Sequence, residues 1–154
     1  MTNNRELTIS RLIAAPPAAV WAAWSIPANL EQWWIPAPIA CQVVTLDLCP
    51  GGGFVTLMRE EGATDFQPHV DGCFLDVVPE QRLVFTTVLS EGWQPVEPWL
   101  ALTAIITFDA EDGGTRYTAR VLHKTPEDSR EHKDMGFFEG WGAAIAQLAA
   151  LVEQ

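Results

Sequence analysis

The side chains best suited to chemistry near neutral pH are three histidines, His69, His123 and His132, because an imidazole titrates near 6.5. His123 closes a strand-like run on its apolar side, just before Thr125. It reads as a general base or a group that orients a ligand carbonyl, or as an ordinary hydrogen-bonded strand-end histidine. His69 and Asp71 are alternate residues of one run, so they share a strand face. They read as an acid–base pair or as a plain cross-strand polar row. Glu131-His132 falls on the polar half of a helix and reads as solvated surface. No metal site emerges, since His69 and Cys73 share a face but are too far apart to hold one ion without other ligands. No GxSxG, Cys/His pair or Walker loop occurs, and no cofactor motif is found. Gly51-Gly52-Gly53 joins two strands and opens no helix, which argues against a phosphate cradle.

The elements that must position these groups follow from periodicity. Glu6 to Ile13 alternates as a half-buried strand. Pro17 opens a short helix carrying Val20, Trp21 and Trp24, broken at Ile26-Pro27, and Asn29 to Trp34 reads as a second. Six sequential antiparallel strands follow: 41–48, 54–59, 68–78, 82–89, 99–108 and 115–123. The chain from Thr125 to Gln154 reads as one long helix. Thr125 caps it, Pro126 suits its first position, and Glu127 and Asp128 meet the positive end of its dipole. Phe138, Trp141, Ile145, Leu148 and Val152 recur along one face of it. Gly136, Gly140 and Gly142 fall in its apolar half. They signal close packing on a sheet, a kink near Gly136, or room for a ligand. Strands followed by a helix give an α+β fold, with the helix packed on one face of an antiparallel sheet.

Alternation places Tyr117, Ala119, Val121 and His123 inward on the last strand, opposite Leu100, Leu102, Ala104, Ile106 and Phe108. The inward set contains Trp34, Phe54, Met58, Phe85, Trp99, Leu102, Tyr117, Phe138, Trp141 and Ile145. It describes either an aromatic-lined pocket for a small lipophilic or aromatic molecule or a filled core.

Composition narrows the classes. The chain has 154 residues, 48% hydrophobic and 19% charged, which suits one globular domain. A formal charge of −11 works against nucleic acid and anionic membrane as partners. The N-terminal MTNNRELTIS lacks the apolar core of a signal peptide, and no apolar run is long enough to span a bilayer. With three unpatterned cysteines, Cys41, Cys49 and Cys73, these features lead us to expect free thiols and a cytoplasmic location. An Ala strip at Ala143, Ala146 and Ala150 offers a contact for a homodimer.

Several stretches in order resemble one superfamily: RLIAAPPAAVWAAW (Arg11–Trp24), NLEQWWIP (Asn29–Pro36), DLCPGGGF (Asp47–Phe54), GCFLDVVPEQRLVFT (Gly72–Thr86), Gly113-Gly114-Thr115, and Phe138 to Leu151 around Gly140-Trp141. This is the START-like (SRPBCC) superfamily of helix-grip proteins, and more closely its bacterial AHSA1-like branch, related to the activator of the Hsp90 ATPase. The resemblance implies a curved antiparallel sheet gripping the C-terminal helix, with a cavity between them. It implies no single activity, because relatives include ligand carriers, aromatase or cyclase domains, hydrolases and a co-chaperone domain. A ligand-binding protein is the leading expectation. An enzyme of cyclase, dehydratase or hydrolase type on the same cavity comes second. A co-chaperone-like module comes third, because the eukaryotic co-chaperone is similar only in its C-terminal part. In this branch an Arg usually precedes the Gly-Gly strand turn; here the position is Cys49.

Overall fold

A computed structural model of the chain describes residues 4–154. In chain order the elements are β1 (Glu6–Ile13), α1 (Pro17–Ser25), α2 (Pro27–Leu30), β2 (Ala40–Leu46), β3 (Gly53–Arg59), β4 (Gln67–Val78), β5 (Arg82–Thr86), β6 (Leu89–Ser90), β7 (Gln94–Pro95), β8 (Thr103–Glu111), β9 (Gly114–Leu122), α3 (Pro126–Asp134) and α4 (Phe137–Val152). Seven strands form one antiparallel sheet in the order β1-β9-β8-β5-β4-β3-β2. The first strand thus pairs with the last, Leu7 opposite Val121 and Ile9 opposite Ala119. This is the expected α+β helix-grip architecture, with the C-terminal helix against one face of the sheet.

The inward rows of β8 and β9 are as alternation requires. Ala104, Ile106, Tyr117, Ala119 and Val121 are at most 1% exposed. Several boundaries differ from the sequence expectation. The strand expected to run to Leu89 ends at Thr86, and Leu89–Ser90 instead pairs with Gln94–Pro95 in a separate two-stranded sheet. The strand expected from Trp99 begins at Thr103. Both changes arise at Thr87, whose hydroxyl donates to Leu100 O (2.8 Å) and accepts from Leu102 N (2.9 Å). A side-chain bond there takes the place of a ladder bond. The second short helix is Pro27–Leu30, with turns carrying the chain on to Trp33 and Trp34.

The larger departure lies at the C-terminus. Thr125 does cap α3, accepting from Asp128 N at 3.0 Å, with Pro126 in its first turn. The helix then stops, however. Gly136 has φ +102°, a left-handed conformation that glycine adopts without the Cβ clash of other residues. The chain resumes as α4 after a bend of 63°. No single helix among the described residues is long and apolar enough to cross a membrane.

Trp24 is the hub of the core. It is fully buried and packs against Trp33, Trp34, Phe54 and Phe85 with ring centroids 5.0–6.4 Å apart. Its indole N–H donates to the Tyr117 hydroxyl at 2.8 Å, joining α1 to β9 through the interior. Gln147 is the polar staple of α4, whose stretch from Gly140 to Val152 carries no charge. It donates to Trp33 O and Ile35 O and accepts from Ala37 N. Replacing Tyr117 with Phe leaves a buried indole donor unpaired. We expect a loss of about 1–3 kcal/mol in folding stability, read as a lower urea midpoint with an unchanged denaturant slope.

Candidate functional site

Helix α4 touches the sheet through β1, at its edge. A Cβ added at Gly142 would meet Ile9 Cδ1 at 3.6 Å, an ordinary contact. Over the sheet's middle the helix stands clear, and a cleft of about 440 Å³ remains. Its floor is formed by β4, β5 and β9, including His69, Val70, Phe85 and Tyr117. Its roof is α4 with the α3–α4 break, including Gly136, Phe137, Gly140, Trp141 and Ile145. Trp34 closes one end, and Trp99 and Leu102 come from the segments around β8.

The helix glycines therefore have separate causes. Gly136 makes the break, and Gly142 sits over Ile9. Gly140 lines the cleft, and a Cβ there would meet nothing within 4 Å.

Of the apolar residues expected to line a pocket, Trp34, Phe85, Trp99, Leu102, Tyr117, Trp141 and Ile145 do so. Phe54, Met58 and Phe138 do not. Phe54 is 0% exposed, stacked on Phe74 at 5.2 Å within the solid core. Met58 is packed against the outside of that core. Phe138 is 40% exposed, because the break at Gly136 rotates the start of α4. Phe137 takes the inward place instead, 1% exposed and 5.4 Å from Trp141.

The polar candidates rearrange as well. His69 and Asp71 both line the cleft, but they do not pair. The register passes from Thr56 opposite Val70 to Leu57 opposite Pro68, so His69 is the extra residue of a β-bulge. A bulge re-aims its side chain out of strict alternation. His69 Nδ1 instead meets the buried Thr56 hydroxyl at 3.0 Å, and its carbonyl accepts from Trp99 Nε1 at 3.1 Å. Burial pushes the His69 pKa down to about 4, so its ring is neutral at physiological pH.

His123 is not at the cleft mouth. It is 6% exposed, with Nδ1 2.9 Å from Arg5 O and Nε2 2.8 Å from His132 Nδ1. His132, expected on the surface, is also 6% exposed and does line the cleft. It sits in the last turn of α3, and the bend after it sets the ring edge-on to Phe137 at 5.1 Å. Burial, with a smaller contribution from His123, pushes the His132 pKa down to about 4.

One further polar group at the cleft carries no signal in the sequence. Trp34 Nε1 is buried without a hydrogen-bond partner, enclosed by the rings of Trp24, Phe54, Phe85 and Trp141. Among the described residues no cluster of His, Cys, Asp or Glu could hold a metal ion. The glycine turn is no anion cradle either, since Gly51 N and Gly52 N are spent on Phe74 O and Cys49 O. Cys49 is exposed, with its thiol 3.5 Å from Asp47 Oδ1.

Comparison with known proteins fits this architecture. Residues 14–153 match the family described as activator of Hsp90 ATPase homolog 1-like protein. The chain belongs to that family. A crystal structure of a Nitrosomonas europaea protein is 36% identical, covers 100% of this chain and 97% of its own, and superposes with a TM-score of 0.91. A Mycobacterium smegmatis protein is 29% identical over 97% of this chain and 91% of its own, with a TM-score of 0.78. An AHSA1-like protein of Aeromonas hydrophila shares the fold at 20% identity, with 96% and 92% covered and a TM-score of 0.70. No curated protein matches.

Two measurements test the site's electrostatics and its roof. His69 and His132 have folded pKa values below the unfolded value of about 6.5, so the unfolded chain binds more protons between those limits. Their contribution is whole above about pH 6.5 and is lost as pH falls toward about 4. The urea midpoint should therefore fall over that window, and His69→Asn, which keeps an acceptor for Thr56, should flatten the fall. In the roof, Gly136→Ala should lower stability by about 1–2 kcal/mol through left-handed strain. Gly140→Ala should leave stability unchanged or raise it by up to about 1 kcal/mol, as thermal melts of the two variants would show.

Proposed function

We propose that the protein binds a small lipophilic or aromatic molecule in the cleft between the sheet and α4. The observation that carries this reading is the cleft itself, together with the bare helix position at Gly140. A volume of about 440 Å³ lies within the usual range for small-molecule sites. Its aromatic walls, Trp34, Phe85, Tyr117, Phe137 and Trp141, supply large apolar surfaces that a flat ligand can cover. The polar groups are few beside the apolar ones: His69 on the bulge, Asp71 beside it, Thr87, Glu97, and His132 at the helix break. Such a division between apolar body and sparse polar contacts suits a ligand that is mostly hydrocarbon with one or two heteroatoms.

The tryptophans lining the cleft provide an intrinsic signal. Titration with naphthalene derivatives should quench or shift tryptophan emission saturably. Gly140→Leu fills the open position with a side chain and should weaken that binding at least about tenfold while the fold is retained by circular dichroism. Unchanged affinity in Gly140→Leu would remove the cleft from the binding event.

A further inference from the structure

We propose that the ligand carries a hydroxyl, phenol-like in character, which donates its proton in a hydrogen bond to Nε2 of His132. This rests on the reading of the cleft as a binding site and names the chemistry it selects.

A backbone carbonyl sets the tautomers of both rings. Arg5 O accepts from His123 N at 2.7 Å and lies 2.9 Å from His123 Nδ1. A carbonyl has no proton to give, so His123 Nδ1 must carry one. In the neutral ring, His123 Nε2 is then a bare acceptor. It lies 2.8 Å from His132 Nδ1, so His132 Nδ1 must be the donor across that contact. His132 is neutral at physiological pH because burial disfavours its charge. Its second nitrogen, Nε2, is therefore left with a lone pair. The chain from Arg5 O through His123 fixes the tautomer of a ring that lines the cleft, much as an outer partner fixes the tautomer of a metal-bound histidine.

That lone pair has no partner among the described residues. It is not sealed off either, since the only fully enclosed, unpaired side-chain polar atom among them is Trp34 Nε1. Two carboxylates along the cleft point the same way. Asp71 and Glu97 line it as well, and their carboxylates accept and repel anions. A cleft offering acceptors and negative charge favours a hydrogen-bond donor and disfavours a carboxylate ligand.

The test compares naphthol, its methyl ether and naphthoate by tryptophan fluorescence and calorimetry. Wild-type protein should bind naphthol about tenfold more tightly than the ether, the scale of one net hydrogen bond, and naphthoate most weakly. In His132→Phe the preference for naphthol should be lost, the variant binding naphthol no more tightly than it binds the ether. Equal wild-type affinity for naphthol and ether would overturn the hydroxyl assignment while leaving the cleft as a binding site. Binding of none of the three would overturn both. Because His132→Phe removes the partner of a buried ring and could unfold the protein, a long-range proton–nitrogen NMR spectrum of wild type gives an independent check. Both His123 and His132 should show the Nδ1-protonated form. An Nε2-protonated His132 would overturn the assignment without any variant.

Discussion

The arrangement of the cleft depends on one backbone constraint, the left-handed conformation of Gly136. A continuous C-terminal helix would carry Glu131-His132 on its polar half, in solvent. Ending α3 at Asp134 and turning the chain by 63° folds the last turn of α3 back over the end of β9. His132 is thereby placed between His123 and Phe137, and Phe137 displaces Phe138 from the inward face. The polar corner of the cleft and its aromatic roof are consequences of the same residue. A side chain at Gly136 would oppose the break through strain, although the space around it is open: the nearest atom to an added Cβ is a Glu139 carboxylate oxygen at 3.6 Å.

The second requirement is that the cleft stay open. Apolar cavities cost stability in proportion to their volume, and a helix beside a sheet would otherwise settle onto it. Here bulky side chains act as struts. Trp24, Trp33 and Trp34 pack edge-on or tilted against one another, and the Trp24–Tyr117 hydrogen bond fixes the cluster to β9. Gln147 ties the backbone at Trp33 and Ile35 to α4. Helix and sheet are thus held at a distance at one end, while Gly142 lets them approach over Ile9. The helix is tilted open over β4 and β5, where Gly140 contributes no side chain.

Much of this was legible in the sequence. Period-two alternation gave the inward rows of β8 and β9, Thr125 and Pro126 marked the start of α3, and a kink near Gly136 was among the readings of the glycines. The errors have physical causes. His123 and His132 meet only because the chain turns twice between β9 and α4, and no fixed spacing encodes that. The His69 bulge is one unpaired residue, which leaves the hydrophobic pattern of β4 almost unchanged. Phe54 lies on the correct face of its strand, but its depth within the core depends on sheet curvature, which alternation does not report. His132 did leave a trace: it lies in the last turn of the polar run that ends just ahead of Met135-Gly136, and a glycine at that position is a helix-end signal.

Family membership establishes the architecture and leaves the occupant of the cleft to its chemistry. The most direct test of this account is the amide chemical-shift map of isotopically labelled protein during titration with naphthol. The shifts should concentrate on Trp34, the His69 bulge, Phe85, His132 and the Phe137–Ile145 stretch of α4, and should saturate together. Shifts confined to the outer face of the sheet, or scattered and unsaturable, would contradict it.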